Sequence, residues 1–176
     1  MNGPARNVEL KVRLDDMTAT RTIAERIATG RGGTQRQVDT YFVCRSGRLK
    51  LREIDGREGE LIAYQRPNES HARLSRYHRV GVTQCAALKK ALAAALGIRG
   101  VVDKSRAIYF WHNVRIHLDE VVELGNFLEF EAVLGAEVDE ARGREQLASL
   151  AEEFELDPAR TIGGSYADLL DDLHNQ

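Results

Sequence analysis

The chain has only two cysteines, no long apolar run and almost no net charge, and each shortage removes a class of protein. Cys44 and Cys85 have neither metal-type nor redox-type spacing and read as reduced structural residues. No apolar run approaches the roughly 18 residues of a membrane-crossing helix, so no membrane partner is expected. The opening M-N-G-P-A-R-N carries no apolar signal core, which predicts a cytoplasmic location. A net charge of -2 argues against the basic footprint of a nucleic-acid binder, and no nucleic-acid partner is expected. Repeats and low-complexity segments are missing, and no serine or cysteine nucleophile stands out. The glycine-rich Thr29-Gly30-Arg31-Gly32-Gly33 does not match a phosphate-binding loop and is expected to be a turn.

What the sequence does have is balanced charge, 30% of its residues, within a composition that is 43% hydrophobic. Its length suits a single domain covering 1–176, with about 1–5 disordered. The charge is patterned. In Arg115 to Leu134, read with period two, Arg115, His117 and Asp119 share one face of a strand, and Glu129 and Glu131 one face of the next, joined at Gly125-Asn126. Ile116, Leu118, Leu128, Phe130, Ala132 and Leu134 take the other faces.

The same alternation returns elsewhere. Asn7, Glu9, Lys11 and Arg13 alternate with Val8, Leu10, Val12 and Leu14, while Lys50 and Arg52 alternate with Leu49 and Leu51. Strands are expected at Asn7–Leu14, Gln37–Arg45, Arg48–Ile54, Glu60–Arg66, Arg73–Val82 and Val101–Trp111, ahead of the pair above. Helices are expected at about Ala19–Ala28, at Gln84–Leu96 with Thr83 as its cap, and from near Asp139. A C-terminal helix, 165–174, begins with Ser165 and Asp168 as a capping box and buries Leu169, Leu170 and Leu173. The fold class is α+β with a large antiparallel sheet.

A charged strand face is ordinary where it meets water. If the strands close into a barrel with apolar sides outward under helices, the charges instead line a lumen. Two explanations then stand. In one, the carboxylates and bases only neutralise one another, as buried charges must. Alternatively, carboxylates hold divalent cations and bases hold phosphate oxygens, as in metal-assisted phosphoryl transfer. Glu129 and Glu131, two apart on a strand, can share a hard cation, although E-x-E alone is a weak motif.

The combination resembles the CYTH superfamily, the triphosphate tunnel metalloenzymes. The likeness is carried by N-V-E-L-K at 7–11, D-T-Y-F at 39–42, L-K-L-R-E at 49–53, K-S-R at 104–106, R-I-H-L-D-E-V at 115–121, L-G-N-F-L-E-F-E at 124–131 and S-Y-A-D-L-L at 165–170. The class IV adenylyl cyclase branch is the most similar, with thiamine triphosphatases and inorganic tripolyphosphatases as relatives. The resemblance implies an eight-stranded antiparallel β-barrel flanked by helices, with a small-molecule triphosphate inside and Mg²⁺ or Mn²⁺ as cofactor. It leaves room for a homodimer. By position it implies Glu9, Glu129 and Glu131 as metal ligands, Glu9, Glu129 and Asp119 as catalytic, and Asp119 as a further ligand or an organiser. Lys11, Lys50, Arg52, Arg66, Arg79, Lys104, Arg106 and Arg115 form the triphosphate clamp. The implied reaction is triphosphate hydrolysis or, as in the cyclase branch, conversion of ATP to cyclic AMP; a non-catalytic polyphosphate-binding module is the remaining reading.

The sequence departs from the family pattern twice. Asn7 stands where relatives carry the first acid of E-x-E-x-K, which removes a negative charge from the metal site. Gln65-Arg66 stands where they carry a clamp lysine near Pro67, so either Arg66 takes that role by a register shift or the contact is lost. His117 lies on the charged face, within reach of phosphate or a metal, and is expected to be a hydrogen-bonded lumen residue without catalytic duty; Tyr41 and Phe42 are placed to stack on a base at the tunnel mouth but are expected to pack, as are Trp111 and Tyr166.

Overall fold

Strands that alternate charged and apolar residues can bury both faces only if the sheet closes on the charges and something covers the outside. The computed structural model, which describes residues 4–175, has this arrangement. The elements run β1 (Ala5–Leu14), α1 (Met17–Ile27), β2 (Gly30–Phe42), β3 (Arg48–Ile54), β4 (Glu58–Gln65), β5 (Arg73–Val82), α2 (Cys85–Leu96), β6 (Ile98–Trp111), β7 (Val114–Val121), β8 (Gly125–Val133), α3 (Glu140–Glu153) and α4 (Tyr166–His174). The strands form a closed antiparallel barrel in the order β1-β5-β4-β3-β2-β6-β7-β8, with β8 returning to β1. Of the segment expected to be disordered, residues 1–3 lie outside the described residues, and Ala5 already belongs to β1.

The apolar core lies outside the barrel wall. Val8, Ile116, Leu118, Leu128, Phe130 and Ala132 face outward beneath Leu147, Leu150 and Phe154 and beneath Ala24 of α1. Phe130 and Phe154 meet edge-on with ring centroids 5.2 Å apart. Gly143 lets α3 come close, because a Cβ there would lie 2.9 Å from Leu134 and 3.3 Å from Val8. At one end of the barrel Tyr166, Ala167 and Leu170 of α4 pack on Tyr41, Val102, Val121, Leu124 and Phe127 and close it.

Local chemistry sets the helix ends. The Asp16 carboxylate accepts from the N–H groups of Thr18 and Ala19, and Asp139 accepts from Arg142 N–H. Ser165 and Asp168 form the reciprocal capping box. Gly97, at φ +79°, ends α2.

Four sequence expectations are corrected. Gly30–Gly33 is the start of β2, not a turn. A Cβ on Gly32 would sit 2.9 Å from Ile108 Cγ2, and a bulge between Arg31 and Gly33 re-aims the strand. The cap position of α2 is Gln84, with no side-chain bond, so Thr83 does not cap it. Leu173 is exposed, because α4 touches the barrel only along its Tyr166–Leu170 side. The β7–β8 connection is Val122–Leu124, and Gly125 at φ +87° opens β8.

Leu147→Ala deletes the fully buried side chain that seats α3 on the wall. Urea unfolding should show a loss of about 2–5 kcal/mol.

Candidate functional site

The lumen collects side chains that period two sends inward from all eight strands. It encloses a cavity of about 120 Å³, lined by Lys11, Lys50, Arg52, Arg66, Arg79, Lys104, Arg106 and Arg115 against Glu9, Glu60, Glu129 and Glu131. Asp39, Asp119 and Arg73 lie behind these, so among the described residues nine bases face six carboxylates. Ile62 is the sole aliphatic side chain lining the cavity among the described residues; Tyr41, Tyr64, Tyr77 and Tyr166 supply its aromatic surface.

Two carboxylates act as internal anchors. Asp39 accepts from Lys50 Nζ at 2.7 Å and from Arg52 Nε and Nη2 at 2.8 Å each. Asp119, wholly buried, accepts from Arg106 Nε and Nη2 at 2.6 Å, from Lys104 Nζ at 3.2 Å and from the Tyr166 hydroxyl at 2.8 Å. Each fixes the direction of two bases whose free N–H groups line the cavity. The Tyr166 ring also lies 3.8 Å from Lys11 Nζ and 5.0 Å from Lys104 Nζ.

The other acids are also paired. Glu129 meets Lys11 at 2.9 Å and Arg106 at 3.1 Å. Glu9 meets Arg66 and Arg73 at 3.0 Å each. Arg115 stands 3.4 Å from Glu131, and half-exposed Arg79 stands 3.4 Å from Glu60 at the open mouth, away from α4. Glu9 is cross-strand partner to Glu131, an opposition of like charges that a sheet tolerates only with a cation or base between them. His117, Glu129 and Glu131 offer three donor atoms within 4.8 Å of one another, a cluster able to hold a cation.

Burial and pairing pull the titrations in opposite directions. Burial opposes ionisation of Asp39, yet Arg52 and Lys50 hold it well below the usual carboxylate range; Lys11 and Arg106 do the same for Glu129. Burial pushes the Glu9 carboxyl up and, despite Arg66, the nearby Glu129 charge adds to that rise. Burial lowers Lys11, and burial together with Arg106 lowers His117. Lys104 is drawn down to about 7 by burial and then by the Arg106 charge, against the pull of Asp119.

Every expected site residue except Asp119 lines the cavity directly; Asp119 orients Lys104 and Arg106 from behind. Gln65 points out toward Ser46, and Arg66 enters the lumen in the same alternation as Glu60, Ile62 and Tyr64, with no shift in the β4 register. Asn7 lines the cavity with its Oδ1 buried and without a partner. Sequence reasoning missed Arg73, Asp39 and Tyr64 and assigned Tyr166 to packing. Asp39 stands opposite Arg52 in the β2–β3 register, a signal visible in the alternation of both strands. Arg73 holds its place through the nearby Glu69 carbonyl and through Glu9 and the Ile162 carbonyl, two long-range partners with no local signature.

A family model described as CYTH domain matches residues 5–166. No curated protein matches the chain in sequence. Among solved structures, the PH1012 protein of Pyrococcus horikoshii OT3 is 22% identical, with 93% of this chain and 98% of that chain covered at a TM-score of 0.81. A candidate adenylate cyclase from Vibrio parahaemolyticus is 23% identical over 97% of this chain and 99% of that chain, at a TM-score of 0.79. HpAC1 from Hippeastrum, described as a candidate adenylyl cyclase with a dominant triphosphatase activity, is 16% identical over 90% and 91%, at 0.60. At these identities the likeness is one of fold.

Lys104 supplies a pH test. Between about 7 and the ~10.4 of a free lysine, the unfolded chain holds a proton that the folded chain has released. Its contribution to stability therefore rises with pH across that window. Urea unfolding of the native protein and of Lys104→Met between pH 7 and 9 should show the native protein gaining on the variant. Parallel profiles would remove the assignment.

Proposed function

This chain belongs to the CYTH family, and we propose that it is a metal-dependent enzyme that binds a triphosphate in its lumen and hydrolyses it. The substrate class is inorganic triphosphate or an organic triphosphate whose phosphate chain enters first. One observation carries the reading: a cavity with twice as many bases as carboxylates on its lining, closed at the α4 end, with one aliphatic side chain among its described residues. An excess of fixed positive charge in a low-dielectric enclosure favours a polyanion over any neutral ligand. Such a lining suits phosphate oxygens.

The donor set fits a hard divalent cation, Mg²⁺ or Mn²⁺. Glu9 opposes Glu131, Glu129 stands beside it, and the Asn7 oxygen is buried without a partner. Such an ion, when bound, neutralises charge on the phosphate oxygens. The remaining work belongs to the chain. Lys50 and Arg52, held by Asp39, and Lys104 and Arg106, held by Asp119, present N–H groups already aimed at the cavity. They cost little reorganisation as charge develops on the transferring phosphoryl group. Lys11 and Arg66 turn from Glu129 and Glu9 to the phosphate chain, freeing those carboxylates for the cation. Water then attacks the terminal phosphorus as its bridging P–O bond breaks; the bridging oxygen leaves with the electron pair on the shorter phosphate chain, and the proton from water passes to the phosphate products.

The second reading is cyclisation of ATP to cyclic AMP and pyrophosphate. It is favoured by the stretches K-S-R-A-I-Y-F at 104–110 and L-D-E-V-V-E-L-G-N-F-L-E at 118–129, which resemble the cyclase branch. Clamp and fold are common to both reactions, so the product decides.

Purified protein with inorganic triphosphate, ATP or thiamine triphosphate and Mg²⁺ or Mn²⁺ is expected to release phosphate, and a chelator to stop it. Cyclic AMP from ATP without phosphate would establish the second reading. Glu129→Gln and Glu9→Gln should each lower kcat by at least about 100-fold while the fold, followed by circular dichroism, persists. Unchanged turnover in both would remove the metal-site assignment. Triphosphate at ~100 times its Kd should add about 2.7 kcal/mol of stability, an effect that weakens with salt. Binding of this kind without any product would point to a non-catalytic polyphosphate module.

A further inference from the structure

His117 was expected to be a hydrogen-bonded lumen residue, yet its ring is in a different situation. It projects from β7 into the lumen, 4% exposed, and its Nδ1 is buried with no hydrogen-bond partner. Glu129 Oε1 lies 3.6 Å away and Glu131 Oε1 4.0 Å away, both too far for a good hydrogen bond. A buried nitrogen aimed at two carboxylate oxygens and bonded to neither is costly unless something sits between them.

We propose that His117 is a ligand of the lumen cation, through Nδ1, and that it makes this centre prefer Mn²⁺ or another divalent transition ion to Mg²⁺. The proposal rests on the reading that a divalent cation binds among Glu9, Glu129 and Glu131. The strand register fixes the geometry. His117 is cross-strand partner to Glu129, and Arg115 to Glu131, so the ring and both carboxylates stand on one patch of the β7–β8 wall. Three donor atoms within 4.8 Å of one another are bridged by metal–ligand bonds of ~2.1–2.4 Å after small side-chain rotations.

The chemistry of the donors then sets the selectivity. Mg²⁺ demands near-ideal octahedral oxygen coordination and dehydrates reluctantly, so a nitrogen ligand wastes one of its positions. Along the first-row divalent ions, affinity for imidazole rises from Mn²⁺ onward. Asn7 strengthens the case. A site that offers a neutral carbonyl where a fourth carboxylate could stand has less of the hard negative charge that Mg²⁺ favours.

Mn²⁺ alone is the probe, added to the full chain with and without non-hydrolysable imidotriphosphate. Pulsed electron paramagnetic resonance of the bound ion should show coupling to a directly bonded imidazole nitrogen, and Mg²⁺ should displace Mn²⁺ only in large excess. His117→Asn places an oxygen near the Nδ1 position. It should abolish the nitrogen coupling and lower the Mn²⁺-over-Mg²⁺ preference at least about 10-fold. A native spectrum without nitrogen coupling, or no Mn²⁺ binding in either condition, overturns the proposal even if the variant fails to fold. So does a folded variant with unchanged preference. Phosphate release measured in parallel separates the two readings. Turnover without nitrogen coupling leaves the hydrolase standing and this ligand wrong, whereas nitrogen coupling without turnover does the reverse.

Discussion

Charge that has been taken out of water must find opposite charge, and the lumen of this barrel is built to that constraint. A lone buried ammonium or carboxylate costs several kcal/mol even after relaxation. Asp39 and Asp119 each answer it for two bases at once, through bidentate contacts to Arg52 and Arg106 and single contacts to Lys50 and Lys104. Glu9 and Glu129 do the same for Arg66, Arg73, Lys11 and again Arg106. Pairing within the protein is incomplete in one direction only, since bases outnumber acids. That surplus is the physical content of the ligand expectation, because a polyanion with a cation completes a balance the side chains leave open.

The exterior follows from the interior. A barrel whose inward residues are charged has its apolar residues outside, where a small all-β protein would put polar ones. The helices are therefore structural necessities. α1 and α3 supply the apolar surface that Val8, Ile116, Leu128 and Phe130 need, and α4 closes one end over Phe127. α2 has no buried residue, and Leu88 and Leu92 are only half-covered, so it contributes least to this sealing.

Much of this was legible in the sequence because alternation with full charges is an uncommon signal, and it names the inward face of β1, β3, β6, β7 and β8 residue by residue. The likeness to a known family added the closure and the division into clamp and metal ligands. What stayed hidden depended on distant partners. Arg73 is placed by Glu9 and by carbonyls on other segments, and the Tyr166 hydroxyl finds Asp119 across a long stretch of chain. Neither leaves a local pattern. Gly30–Gly33 misled because glycine marks both turns and bulges, and only the Ile108 side chain lying across Gly32 tells them apart. The capping box at Ser165 was readable because its partner is three residues away.

The position of β1 has a consequence for how the molecule comes into being. It is the first strand synthesised, yet its neighbours are β5 and β8, and β8 is the last strand of the chain. The wall cannot be completed until β8 has been made, a non-local topology of the kind that folds slowly. Until that seam zips, Lys11 stays hydrated and lacks its Glu129 partner on β8. Hairpin pairs such as Asp39 with Arg52 and Asp119 with Arg106 can form earlier, whereas the Lys11–Glu129 pair and the closing of the lumen to water wait for that late event. A nascent chain short of β8 would present an unpaired strand edge instead of a finished tunnel.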